Sequence, residues 1–360
     1  MYSRAWLDLS KGPVTVQMDR QPVGRYWSVS FLDASHRIFA LRGQRMNDQG
    51  PVKMTLVGPQ HDASITDGEV VKAPGHDVWL FARWLVEGEQ DVPEARAMQD
   101  RLSIHAPSSA TPCAVMPTHS MDPENFLSVV AEQLQRNPAS GVDAQWIERL
   151  AFVGIQAGTS APWKQLPGEV RDAWIGNIKS CHQRLRKTFM DGRLRVNGWW
   201  AAEDHPGEDA SAYEWRAGVA LVALGGLDSR EAVYAARMTD DAGNPLHGRH
   251  LYRMTVPPSG IPVDAFWSMS LYELMPNGDR FFADNPIARY SIGDRTPGLQ
   301  YESDGSLVIT LQRGIPADTE LHANWLPVPA APFALTLRAY HPREDLRRWQ
   351  VPLPKLECVG

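Results

Sequence analysis

Arg25-Tyr-Trp-Ser-Val-Ser-Phe-Leu-Asp33 alternates at a period of two. A strand turns successive side chains to opposite faces, so Arg25, Trp27, Val29, Phe31 and Asp33 share one face. That face is apolar in the middle and charged at both ends, which reads as a sheet edge opening onto a rim. Around it lie further short β-branched or aromatic runs, Val14–Gln17, Val52–Val57, Val70-Val71 and Val78–Val86. Lys11-Gly-Pro13, Asp48-Gln-Gly-Pro51, Gly58-Pro59 and Ala73-Pro-Gly75 separate them as turns. Residues 1–106 therefore read as an all-β domain of the sandwich or barrel type.

The period changes downstream. Residues 107–121, with Pro107, Pro112 and Pro117 among Ser and Thr, form a linker, and residues 122–228 read as helical. Asp122-Pro123 opens a helix with a carboxylate N-cap and proline at the first turn, and Phe126, Val129, Val130 and Leu134 form its apolar stripe. A second helix from Asp143 carries Trp146, Ile147 and Leu150. A third carries Val170, Trp174, Ile178, Cys181 and Leu185, and a fourth, alanine-rich, spans roughly 210–224. Residues 229–360 return to strands, with Asp240-Asp-Ala-Gly-Asn244 read as the connection of a hairpin between Ala232–Met238 and His250–Val256. The fold expected is mainly β with an α-helical insert: two β-sandwich or jelly-roll-like domains joined by a helical segment.

Of the 360 residues, 43% are hydrophobic and 22% charged, and 36 Lys and Arg against 42 Asp and Glu leave a net charge of −6. A mildly acidic chain without a basic block argues against nucleic acid or an anionic membrane surface as partner. No run approaches the roughly 18 apolar residues of a membrane helix, so no membrane insertion is expected. Cys113, Cys181 and Cys358 match no disulfide framework or metal spacing, and no cofactor or metal is expected. The start carries no export signal, which points to the cytoplasm as the chain stands and to the periplasm or export if a segment precedes it. The 13 tryptophans suit either core filling or stacking platforms in a ligand cleft.

Tyr2-Ser-Arg-Ala-Trp-Leu-Asp-Leu-Ser-Lys-Gly-Pro-Val14, with Arg25-Tyr26, Asp33, Gly58-Pro59 and the strand Trp79–Arg83, resembles the bacterial family called domain of unknown function 1254. Asp264–Tyr272, Asn285-Pro-Ile-Ala-Arg-Tyr-Ser-Ile-Gly-Asp-Arg295, Asp304–Leu307, Asn324-Trp-Leu-Pro327 and Arg338-Ala-Tyr340 resemble its usual partner, domain of unknown function 1214. The resemblance implies two jelly-roll-like domains with helices between, and no established activity.

The C-terminal motifs supply the candidate site. On the last strand Phe333, Leu335 and Leu337 share one face and Thr336, Arg338 and Tyr340 the other, so Arg338 and Tyr340 point together. Arginine binds carboxylate or phosphate through a planar fork, and tyrosine adds a hydroxyl donor. Asp294-Arg295 meeting Arg338 and Tyr340 across the sheet would hold a small polar ligand, anionic or carbohydrate-like, with Asp294 and Tyr340 in catalytic roles. Arg289, Asn324 and Trp325 are further ligand-binding candidates. This describes a hydrolase or lyase; the alternative is a non-catalytic binding or assembly module in which the same residues are structural. Exposed sheet edges suggest a homo-oligomer. The motifs of serine hydrolases, phosphate-binding loops, zincins and dinucleotide folds are absent from the sequence.

Overall fold

A computed structural model of the chain describes residues 1–61, 68–118, 121–202, 213–276 and 278–360. It divides into two units, each assembled from two pieces of sequence: residues 1–191 with 208–226, and residues 192–207 with 227–360.

In the first unit the strands are β1 (Tyr2–Asp8), β2 (Val14–Met18), β3 (Trp27–Leu32), β4 (Ile38–Gly43), β5 (Val52–Val57), β6 (Glu69–Lys72), β7 (Asp77–Trp84) and β8 (Leu102–His105). Two short helices interrupt them, α1 (Gln44–Asn47) and α2 (Val92–Gln99). The sheets run β1-β7-β3-β4 and β6-β5-β2-β8. They meet over one core containing Leu7, Val16, Trp27, Phe31, Met54, Leu56 and Leu80, so the mainly β reading of this region holds.

The quoted stretch forms β3, and it is an interior strand rather than an edge. All six of its residues are buried. Alternation reveals an apolar face, but serine is small enough to be buried on the other if its hydroxyl is bonded. Ser30 donates to the Phe81 carbonyl at 3.0 Å and accepts from Arg83 at 3.3 Å. The charged ends are paired: Arg25 grips Asp91 in bidentate fashion at 2.7 and 2.8 Å, and Arg37 donates to Asp33 at 3.0 Å.

The helices of this unit are α3 (Pro123–Arg136), α4 (Gly141–Arg149), α5 (Pro162–Gln165), α6 (Gly168–Asp191) and α7 (Tyr213–Val222). Asp122 caps α3 as its sequence demands, accepting the amides of Glu124 and Asn125. The fourth expected helix corresponds to α7, and residues 210–212 lie outside the described residues. Phe189 of α6 stacks on Trp215 of α7 at 5.5 Å, whereas Cys181, expected on the apolar stripe, is exposed. The end of α3 is clipped to β7. Asn137 accepts the Asp77 amide at 2.8 Å and donates to its carboxylate at 2.8 Å, and Arg136 adds a bond at 2.7 Å. A Cβ at Gly75 would stand 2.6 Å from the Asn137 Oδ1, so this clip needs glycine there.

The second unit contains β9 (Arg193–Val196), β10 (Trp199–Ala202), β11 (Ala232–Arg237), β12 (Tyr252–Val256), β13 (Val263–Leu274), β14 (Arg280–Phe281), β15 (Ser291–Gly293), β16 (Leu307–Gln312), β17 (Trp325–Pro327), β18 (Phe333–Pro342), α8 (Glu344–Arg347) and β19 (Lys355–Cys358). One sheet runs β14-β13-β18-β11-β10-β9, with β15 also on β13, and the other runs β17-β16-β12-β19. Their shared core holds Trp199, Met254, Met269, Ile309, Leu335 and Leu337.

Two expectations change here. Ala232–Met238 and His250–Val256 are not hairpin partners, because β11 pairs with β18 while β12 pairs with β16 and β19 in the other sheet. The Asp240–Asn244 turn is nevertheless tight: Asp240 accepts the Asn244 amide at 2.8 Å. Within the stretch read as helical, β9 and β10 form a hairpin that extends the larger sheet through β11.

Candidate ligand-binding sites

The Asn285–Arg295 stretch builds a loop before it builds a strand. Asn285 accepts the Arg289 amide at 2.9 Å and donates to the Ala283 and Arg289 carbonyls at 3.3 and 3.1 Å. This places Arg289 ahead of β15, where its Nη1 donates to the carbonyls of His322, Ala323 and Trp325 at 2.8, 3.0 and 2.8 Å. Burial pushes its pKa below the ordinary arginine value. Asn324, 3% exposed, accepts the Gln300 amide at 2.9 Å and donates to the carbonyls of Gln300 and Val308 at 2.7 and 2.9 Å. Trp325, also buried, donates its indole N–H to the Gln312 carbonyl at 2.9 Å. Arg289, Asn324 and Trp325 thus all bind main-chain oxygens around β16 and β17.

Arg338 and Tyr340 do share the outer face of β18. Arg338 donates to the hydroxyls of Ser270 and Tyr272, both at 2.9 Å, with its guanidinium 5.7 Å from the Tyr272 ring centroid. Tyr340 is buried and stacks on Phe266 at 4.4 Å. Asp294 and Arg295 follow β15, which pairs with the opposite edge of β13, so β13 stands between them and β18. Neighbouring strands lie about 4.8 Å apart, which puts β15 and β18 at roughly twice that spacing. Asp294 accepts the Trp267 amide at 3.0 Å, and partial desolvation raises its pKa above the usual carboxylate range. A cavity of about 350 Å³ in this unit touches Asn285, Pro286 and Pro327, along with Glu273, Asp284 and Arg313, but its lining contains none of Asp294, Arg295, Tyr340, Arg338, Arg289, Asn324 or Trp325.

A larger cavity, about 690 Å³, lies in the first unit. Its apolar wall is Val129, Val130 and Leu134 of α3 with Trp146 and Ile147 of α4 and Leu150 just beyond it. The sequence assigns these residues to stripes that helices normally bury. They are here only partly buried, with Trp146 45% exposed, while the fully buried residues of α3 are Leu127 and Ala131. The two stripes line a cavity instead of closing on a core.

The polar wall comes from the Asp33 end of β3, the α4 start and α7. Asp33 accepts the amides of Ser35 and Arg37, both at 2.9 Å, as well as the Arg37 Nε. Arg37 also donates to Asp143 at 3.1 Å, and Tyr213 donates its hydroxyl to the same carboxylate at 2.7 Å. The Asp143 bond raises the Tyr213 pKa above the ordinary phenol value. Burial works against the charge on Arg37, but Asp33 and Asp143 outweigh it and raise its pKa. Arg216 lies over the Tyr213 ring at 4.9 Å. No local motif marks Arg37, Asp143, Tyr213 or Arg216, which come together only through the packing of helices on the sandwich. The available signal was the pair of amphipathic stripes. Among the described residues no group of three or more His, Cys, Asp or Glu side chains is placed to hold a metal ion, and no helix is long and apolar enough to cross a membrane.

Fold and sites define a mainly β protein with a helical insert. Family comparison is specific to its two ends: residues 1–106 match the family described as protein of unknown function (DUF1254), and residues 231–344 match protein of unknown function (DUF1214). The chain pairs these two domains in that order. Among solved structures it is similar to the VPA0106 protein from Vibrio parahaemolyticus, with a TM-score of 0.77 and 21% identity, over 100% of this chain and 88% of that one. That likeness speaks to the fold. No functionally curated protein matches the chain.

Proposed function

We propose that the chain is a non-catalytic binder of a small organic ligand, seated in the cavity of the first unit. The carrying observation is the cavity itself: about 690 Å³, lined by two apolar helix stripes and by a cluster of charged and hydroxyl groups. Small-molecule sites typically span about 300–1,000 Å³ and combine an apolar lining with few convergent polar groups. The hydrolase or lyase reading of the C-terminal motifs has less support. Arg289, Asn324 and Trp325 hold main-chain oxygens, Tyr340 is packed against Phe266, and β13 separates Asp294 from the Arg338 face.

The test is saturable uptake of a neutral apolar fluorophore, N-phenyl-1-naphthylamine, by the folded full chain. The wild type takes up one equivalent; Leu134→Trp, which fills the apolar wall, loses that uptake while keeping its thermal midpoint. Uptake that is absent from the wild type, or indifferent to Leu134→Trp, overturns the reading.

A further inference from the structure

We infer that this cavity selects amphiphilic monoanions, a carboxylate head on an apolar body, and that Arg216 is the residue that recognises the head. The inference rests on the binding reading above and names its ligand class.

Arg216 differs from every other charged group on the wall. Asp33 accepts three bonds, Asp143 accepts from Arg37 and Tyr213, and Arg37 bridges the two carboxylates. Arg216 makes no hydrogen bond or ion pair among the described residues, and its Nε is shut away from solvent with no partner. Its placement is set by the Tyr213 ring, which supports the guanidinium without using any of its N–H groups. Arginine presents those groups as a planar fork that matches a carboxylate edge. A ligand head reaching Arg216 would find a guanidinium that is bonded to nothing else among the described residues.

Charge count limits the head to a single negative charge. Asp33 and Asp143 are balanced by Arg37 and Arg216 along the same wall. One added anion leaves a small excess that Arg216 can hold; a dianion such as a phosphate monoester would be repelled by two fixed carboxylates. The apolar lining fixes the rest of the ligand. Val129, Val130, Leu134 and Ile147 offer apolar contact and Trp146 adds aromatic surface, suited to an alkyl or aromatic body.

The experiment is calorimetric titration of the full chain with octanoate and with 1-octanol, two probes that share the tail and differ in the head. The wild type binds octanoate about tenfold or more tightly than octanol, the difference made by one charge-assisted contact. Arg216→Gln brings octanoate down to the octanol level, leaves octanol affinity unchanged and leaves the thermal midpoint unchanged. Arg216→Lys restores part of the preference. If the wild type binds both probes equally, or if Arg216→Gln keeps the preference, the anion inference is overturned while the cavity reading stands. If neither probe binds, the cavity reading falls with it. A second copy of the chain as occupant would show as a concentration-dependent dimer that octanoate does not dissociate, and that result also overturns the proposal.

Discussion

The two units differ in the fasteners that hold several of their loops. In the first, aspartates accept: Asp8 takes the amides of Ser10 and Thr111, Asp77 takes Arg136 and Asn137, and Asp91 takes Arg25 and the Glu87 amide. In the second, arginine and asparagine donate to main-chain oxygens: Arg289 to three carbonyls, Asn324 to two, and Arg237 to Thr239, Asn197 and Pro354. A carboxylate fastener depends on its own ionisation, whereas a guanidinium or amide bound to a carbonyl titrates nowhere near neutral pH. The difference teaches that Arg289 and Asn324 are weak pointers to a site, since their donors are committed to the main chain.

Arg237 gives the sharpest way to break the comparison. It is fully buried against Trp199, and it is ion-paired with Asp241. Arg237→Met takes the guanidinium donors from the Thr239 and Asn197 carbonyls and from one Asp241 oxygen, while Pro354 keeps the Trp199 indole, and urea unfolding is expected to show a loss of about 3–5 kcal/mol. A loss under about 1 kcal/mol would mean the main-chain clasp is not what holds this unit. Asn324→Ala comes next, at about 2–3 kcal/mol by the same measurement, because three main-chain groups near β16 lose a buried partner. If Asn324 were instead a ligand contact, stability would barely change and ligand uptake would.

The smallest effect sharpens the first unit's side. Burial opposes ionisation of Asp8, but its bonds from Ser10 and Thr111 win and hold its pKa well below the usual carboxylate range; the Arg25 bond, with the Glu87 amide, lowers that of Asp91. A depressed folded-state pKa contributes stability above the unfolded value, near 3.9, and that contribution fades as pH falls toward the folded value. Thermal midpoints measured against pH should therefore separate wild type from Asp8→Asn and Asp91→Asn most at neutral pH, with the curves converging below about pH 4. Asp294 carries the opposite sign. Its raised pKa contributes stability below the unfolded value that is lost as pH rises, so Asp294→Asn should not show this convergence.

Much of the fold was legible because periodicity is local. The strand within Arg25–Asp33, the Asp122 cap and the two faces of Phe333–Tyr340 appear as read, although the first is an interior strand and not a sheet edge. What local pattern could not carry was pairing. Ala232–Arg237 looks like half of a hairpin because a turn follows it, yet its partner β18 lies about a hundred residues away. The same limit applies to the site. Arg289 and Asn324 have the chemistry of ligand contacts, and only long-range placement shows that carbonyls occupy them. Conversely, Val130, Leu134, Ile147 and Leu150 were legible as apolar stripes, while the fact that they line a cavity with Asp33, Asp143 and Tyr213 depends on long-range placement.

The chain leaves its first unit after residue 191, forms the β9–β10 hairpin in the second, returns with residues 208–226, and leaves again. Neither the 1–106 nor the 231–344 family match coincides with a unit that could be cut out whole. A fragment ending before residue 208 would lack Tyr213 and Arg216, and one beginning at 231 would strip two strands from the edge of the larger sheet. The two segments are therefore not interchangeable modules: cutting at the family boundaries would yield two incomplete products.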